Sequence, residues 1–151
     1  EHKRERLIPA IPKYVPASEG PHDGEFEKYP LLCMGTHTKG RVHSTHDNNP
    51  WCREFDPHVV WINPVDAEAR GIKDGDEVLV YNDRGKIRLP AKVTMRIMPG
   101  VVDVPQGAWP EIDAEGVDRR GNVNMLTQDS KPTPWSKANP QHTNRVQIEK
   151  V

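Results

Sequence analysis

The chain has no apolar run near the ~20 residues that a membrane-spanning helix requires, and it has no excess of charge of either sign. It carries 21 Lys and Arg against 22 Asp and Glu, for a net charge of -1. Such a balanced surface has no basic field to hold nucleic acid by counterion release. Cysteine is scarce too: Cys33 and Cys52 are the only two, and they do not form a CxxC pair. One disulfide between them stays open at this level, because spacing alone does not fix bridging geometry. Internal repeats and low-complexity tracts are also missing.

Proline and glycine are plentiful, at 15 and 11 residues among 151. Spread along the chain, they favour many short segments over long helices. With 34% hydrophobic residues and a mean hydropathy of -0.79, the core must be compact and the surface wet. A chain of this size makes one domain, burying roughly two-thirds of its unfolded surface. It opens on EHKRERLIP with neither Met nor signal peptide, and it looks like a cut inside a longer polypeptide with any targeting signal upstream.

Residues 1–28 carry scattered prolines and little periodicity, and read as an extended arm or a linker from upstream domains. The domain proper spans 29–151. A first strand covers 30–34, Asp47-Asn48-Asn49-Pro50 is turn chemistry, and Phe55 to Asn63 reads as a second strand. The run NPVDAEARG is a compact helix signature, with Asn63 as cap, Pro64 in the first turn and Gly71 as the stop. Strands follow over 77–82 and 86–95, joined by a hairpin at Asn82 to Gly85, with Pro90 implying an edge or a bulge. Further strands are expected at 101–104 and 145–149, separated by an irregular stretch that includes 106–120. So many short strands need closure to remove their edges, which favours a small barrel over an open sheet or a helix bundle.

The chemistry concentrates between Leu31 and Trp51, LLCMGTHTKGRVHSTHDNNPW. An apolar strand runs into a donor-rich, carboxylate-poor loop with glycines at 35 and 40. Zinc would want tight ligand pairs, and the histidines here lack a matching second pair. A triad drawn from His43, Ser44 and Asp47 fails because neighbouring residues in a strand face opposite ways, and no GxSxG elbow is present. Gly35 to Gly40 lacks the GK[ST] ending of a phosphate loop. What remains is a nest of hydroxyls, imidazoles and cations suited to a heteroaromatic, phosphate-bearing ligand. A second cluster, Asn122, Asn124, Thr127, Asn139, Gln141, His142, Thr143 and Asn144, offers amides that donate and accept, as purine-like edges require. The two clusters suggest one ligand shared between them. A polar surface loop and a set of turn-forming asparagines are the alternatives.

Three blocks carry a resemblance: LLCMGTHTKGRVHST, the run from Asn63 to Trp109, and NVNMLTQDSKPTPWSKANPQHTNRVQIEK. Together they resemble the C-terminal molybdopterin-dinucleotide-binding domain of the dimethyl sulfoxide reductase family. HTKGRVHST and NPQHTN point to the dimethyl sulfoxide-type branch. The resemblance implies a mainly β chain with short helices, a double-psi β-barrel of the aspartate-decarboxylase-like type. It implies that Thr36, His37, Thr38, Lys39, Arg41, His43 and Ser44 form one contact segment for bis(molybdopterin guanine dinucleotide), and Asn124, Gln141, His142, Thr143 and Asn144 a second.

By the same resemblance the molybdenum ligand and the iron–sulfur cluster belong to upstream domains, so no residue here is catalytic or metal-binding. The isolated fragment is then expected to be inactive. Expected partners are those upstream domains, an iron–sulfur subunit and a membrane anchor, on the periplasmic side of a membrane. Alternatives are the same family acting on formate, nitrate, selenate or thiosulfate, and a stand-alone barrel module or regulator.

Overall fold

The computed structural model describes residues 11–17, 19–20, 26–129 and 138–151. Seven strands form: β1 (Leu31–Met34), β2 (Val60–Ile62), β3 (Glu77–Tyr81), β4 (Lys86–Val93), β5 (Val101–Asp103), β6 (Val117–Asp118) and β7 (Asn144–Lys150). Two short helices, α1 (Pro50–Phe55) and α2 (Pro64–Glu68), and a 3-10 turn at Val123–Leu126 complete the described elements.

The strands pair in the order β2-β5-β1-β7-β3-β4, and β4 pairs back to β2, closing a six-strand barrel; β6 pairs with the start of β4, on the same edge that β2 takes further along. Two of the barrel pairings are parallel, β1 with β5 and β2 with β4. Each needs a connection that crosses the barrel, which gives the double-psi arrangement. Closure leaves no open barrel edge for another chain to add to.

Alternation fixes which side chains go inside. Val78 and Val80 of β3, Ile87, Leu89 and Ala91 of β4, and Val146 and Ile148 of β7 point inward and are buried. Leu31, Cys33, Val60, Ile62 and Val102 complete the centre. Each fully buried Val, Leu or Ile contributes about 1.5–3 kcal/mol relative to exposure.

The helix read from NPVDAEARG forms as expected. The Asn63 side chain accepts from the Val65 N–H at 3.0 Å, and Gly71 takes the left-handed conformation at φ +64°. The same chemistry was overlooked one segment earlier. Asn49 accepts from the Trp51 N–H and Pro50 opens α1, so Phe55 ends a helix instead of beginning a strand, and β2 starts only at Val60. Pro90 lies in neither a terminal strand nor a bulge. It falls between the part of β4 paired with β6 and the part paired with β2, where the ladder on that side changes partner. The stretch 106–120, expected to be irregular, contains β6.

Residues 1–10 and 130–137, within the arm and within the C-terminal resemblance block, lie outside the described residues. Of the arm, Glu19 is buried: it pairs with Arg84 and accepts the backbone N–H of Arg145 at 2.8 Å. The two cysteines are free thiols, and burial pushes the Cys33 thiol up to about 12.

Topology gathers distant sequence at one end of the barrel. β1 runs parallel to β5, so Met34 ends opposite Asp103. Antiparallel β7 begins there, with Asn144 opposite Cys33. The donor loop after β1 and the segment before β7 therefore meet.

Candidate functional site

A groove of about 840 Å³ opens where these strand ends converge. Its polar wall includes Thr36, His37, Thr38, Lys39 and His142, with Asp56, Asp103 and Arg96; Leu32, Met34, Phe55, Trp61 and Met98 form much of its apolar wall.

Two carboxylates hold the polar wall. Asp103, buried at the end of β5, accepts the Thr36 N–H at 3.0 Å and the Thr36 hydroxyl at 2.6 Å. Burial raises its carboxyl above the ordinary aspartate range, against the opposing pull of Thr36 and of nearby His142. Asp56, just past α1, accepts the N–H groups of Lys39 and Gly40 at 2.8 and 3.2 Å. From the second cluster, His142 Nδ1 accepts the Gly35 N–H at 3.3 Å. Across the groove the Arg96 guanidinium sits 5.2 Å from the centre of the Trp61 ring, a cation–π contact.

One atom stands apart. The Thr38 hydroxyl is buried and has no hydrogen-bond partner among the described residues. An unpaired buried hydroxyl costs free energy, and this one belongs to a residue of the groove wall.

The other sequence-selected residues lie elsewhere. Arg41 points inward, ion-paired with Asp47, its Nη2 2.9 Å from His58 Nδ1 and donating to the Gln106 carbonyl at 3.2 Å. His43 adopts φ +51°, its ring 4.9 Å from that of His37. Ser44 is exposed and its carbonyl accepts the Trp109 indole N–H at 2.9 Å. Asn124 is exposed on the 3-10 turn, its N–H held by the Asn122 side chain at 3.0 Å. The Gln141 carbonyl accepts from the Asn144 amide at 3.0 Å; Asn144 itself is buried in β7 and Thr143 is half-buried. The two clusters thus meet through Thr36–Lys39 and His142.

Sequence reasoning gave no place in the site to Asp56, His58, Trp61, Arg96, Asp103 and Arg120, and it set Asp47 aside as a turn residue and a failed triad acid. Asp103 left a trace, as the one carboxylate inside an apolar VVDV run.

His58 has a second defined contact, its Nε2 lying 2.9 Å from the Gly121 carbonyl. With Arg41 obliged to donate at Nδ1, the network assigns the neutral tautomer protonated at Nε2. Burial holds its pKa below the usual histidine value, against the Gly121 hydrogen bond. An unfolded chain therefore takes up this proton at higher pH than the folded one. The stability involved is fully present above ~6.5, the ordinary value, and declines as pH falls below it. We expect His58→Gln to lose less stability than the native chain between pH 7 and pH 5, measured by urea midpoints at both. Parallel losses would refute this.

The family model for the molydopterin dinucleotide binding domain matches residues 31–145. The chain belongs to that family. It is 47% identical over 145 residues to dimethyl sulfoxide reductase DmsA of Escherichia coli K12, covering 96% of this chain and 18% of that protein. Trimethylamine-N-oxide reductase 1 of the same organism is 36% identical over 148 residues, covering 92% of this chain and 18% of its own length. The chain thus spans under a fifth of the curated relatives it matches. Acetylene hydratase from Pelobacter acetylenicus superposes with a TM-score of 0.77 at 19% identity, over 93% of this chain and 21% of that one, which is a likeness of fold.

The groove of this dinucleotide binding domain fits such a cofactor. The orphan Thr38 hydroxyl, the Lys39 ammonium and the Arg96 guanidinium suit phosphate oxygens, while Trp61 and Met98 offer apolar surface to a flat ring.

Proposed function

We propose that this chain forms one wall of a molybdopterin guanine dinucleotide site in the catalytic subunit of a molybdenum oxidoreductase. That enzyme would reduce dimethyl sulfoxide or a related S- or N-oxide in anaerobic respiration. The carrying observation is the convergence on one groove of Thr36, His37, Thr38 and Lys39 with His142. The identity to a dimethyl sulfoxide reductase and to a trimethylamine-N-oxide reductase supports the choice of substrate.

When bound, the cofactor supplies the redox chemistry, and the protein supplies binding and orientation. Lys39 would neutralise phosphate charge, and the Thr38 hydroxyl would gain the partner it lacks. Asp103, still offering lone pairs beyond its bonds to Thr36, would accept from ring N–H groups. The apolar wall would keep water from the ring face. Alone, the domain would transfer no oxygen. In the whole enzyme the domain would work with upstream domains, an iron–sulfur subunit and a membrane anchor, on the periplasmic side, a proposal that rests on family resemblance.

The test is Lys39→Glu in the full catalytic subunit, with molybdenum and pterin measured per folded protein. Loss of a charge-assisted phosphate contact worth about 1.5–3 kcal/mol predicts roughly 10- to 100-fold weaker retention. Lys86→Glu, on exposed β4 surface outside the groove, should retain cofactor normally. Full loading of the Lys39 variant would sink the reading.

A further inference from the structure

Arg41 is a cation beside a proposed phosphate site, yet its side chain is only 7% exposed and turned away from the groove. It faces Asp47, whose side chain is 2% exposed. The Asp47 carboxylate pairs with Arg41 through Oδ1 and with Arg120 through Oδ2, and Oδ2 also accepts the Trp109 N–H at 3.0 Å. Arg53 approaches within 3.9 Å. Burial alone would raise this carboxyl, but the Trp109 N–H and the two arginines bring it below the usual range.

A buried ion pair is a poor source of stability compared with apolar packing of the same volume. Its value here is in what it joins. The Arg41 guanidinium donates to the Gln106 carbonyl at 3.2 Å, and the Gln106 N–H donates to the Thr36 carbonyl at 2.9 Å. At the other end, the Asp47 carbonyl accepts from Arg53 Nε and fixes α1, behind which Asp56 holds Lys39 and Gly40. Both ends of the Thr36–Lys39 wall thus trace back to one residue. Between Lys39 and Asp47 the chain accepts two left-handed non-glycine residues, His43 at φ +51° and His46 at φ +73°, a conformation that persists only where its surroundings impose it.

We propose that Asp47 is a positioning residue that holds the Thr36–Lys39 wall in its ligand-ready shape before the dinucleotide arrives. Its relevance to cofactor rests on the function proposed above; its action on the wall does not need the ligand. Asp47 itself does not line the groove. Docking into a preformed wall avoids the ordering cost that a slack loop would impose at the moment of binding.

Amide hydrogen exchange on the full catalytic subunit, prepared without cofactor, tests this directly. Asp47→Asn keeps the size and removes the charge. It should speed exchange at Thr36, Lys39 and Gly40 by at least about tenfold, with β3 and β7 unchanged, since local openings are read separately from global unfolding. In the loaded enzyme, cofactor release should quicken by a similar factor. Should Asp47→Asn not fold, Arg41→Lys, which keeps the charge but loses the forked geometry, should show a smaller acceleration at the same amides. Native exchange at those amides overturns the proposal. So does acceleration spread evenly into β3 and β7, which marks a merely structural role. If Asp47→Asn loosens the wall while Lys39→Glu stays fully loaded, the groove reading fails and the role of Asp47 stands.

Discussion

Gly107→Ala is expected to cost about 3 kcal/mol or more and to lower the melting temperature by roughly 10 °C, at the 2–4 °C per kcal/mol usual for a chain of this size. Gly107 sits at φ +95°, and a Cβ there would overlap the His43 carbonyl and lie 3.1 Å from the Ser44 N. Both obstacles are backbone, so no side chain can swing aside. The left-handed conformation adds about 1–2 kcal/mol for any residue with a Cβ. To relieve the overlap, His43 or the 105–109 segment must move, and His43 is already in a left-handed conformation. Gly75→Ala separates the two contributions. It has φ +85° but nothing within 4 Å of its would-be Cβ, so only the conformational part of about 1–2 kcal/mol should appear. Thermal unfolding followed by circular dichroism reads both. Equal shifts for the two variants would show that the contact with His43 does not matter.

Gly107 also shows where sequence reading ends. Its glycine is visible, but its reason is a carbonyl more than sixty positions away. Local signals were legible: Asn63, Pro64 and Gly71 declare a helix start and stop, and the alternation in EVLVYN and KIRLPAKV declares two barrel strands. The same reading would have found α1, because Asn49-Pro50 repeats the Asn63-Pro64 pattern. Instead the apolar run after it drew Phe55 into a strand.

The lining of the candidate groove was half legible for a physical reason. A donor-rich loop can be recognised by composition, but composition cannot say which donors face a ligand and which face the protein. Arg41 and Lys39 are two residues apart and both cationic. One lines the groove; the other is consumed by Asp47 and the Gln106 carbonyl. What decides between them is the packing of 105–121 against the loop, and only the barrel topology sets that. Asp47 and Asp103 share this difficulty. Each reads locally as a turn or strand residue, and each becomes an organiser only once chain from far away is brought alongside.

Asp118→Ala should be the most damaging single truncation outside the apolar core. The side chain is fully buried in β6 and accepts three backbone N–H groups: Glu111 at 2.7 Å and Arg120 at 3.2 Å on Oδ1, and Asn122 at 2.5 Å on Oδ2. Removing it strands donors that cost about 1–3 kcal/mol each when left buried and unpaired, so with some relief from water the loss should be about 3–5 kcal/mol. Asp118→Asn retains one carbonyl oxygen, keeps Glu111 and Arg120 satisfied, and should lose only about 1–3 kcal/mol. Urea unfolding of both variants gives the ranking. A loss from Asn as large as that from Ala would mean that charge, and not acceptor count, secures this turn. The consequence should reach the groove as well. Asp118 shapes the backbone that carries Arg120 to Asp47 and presents the Gly121 carbonyl to His58. Its truncation should therefore loosen the Thr36–Lys39 amides alongside its own segment, whereas a core truncation of equal cost, such as Ile148→Ala in β7, should leave the ratio of loop to strand exchange unchanged.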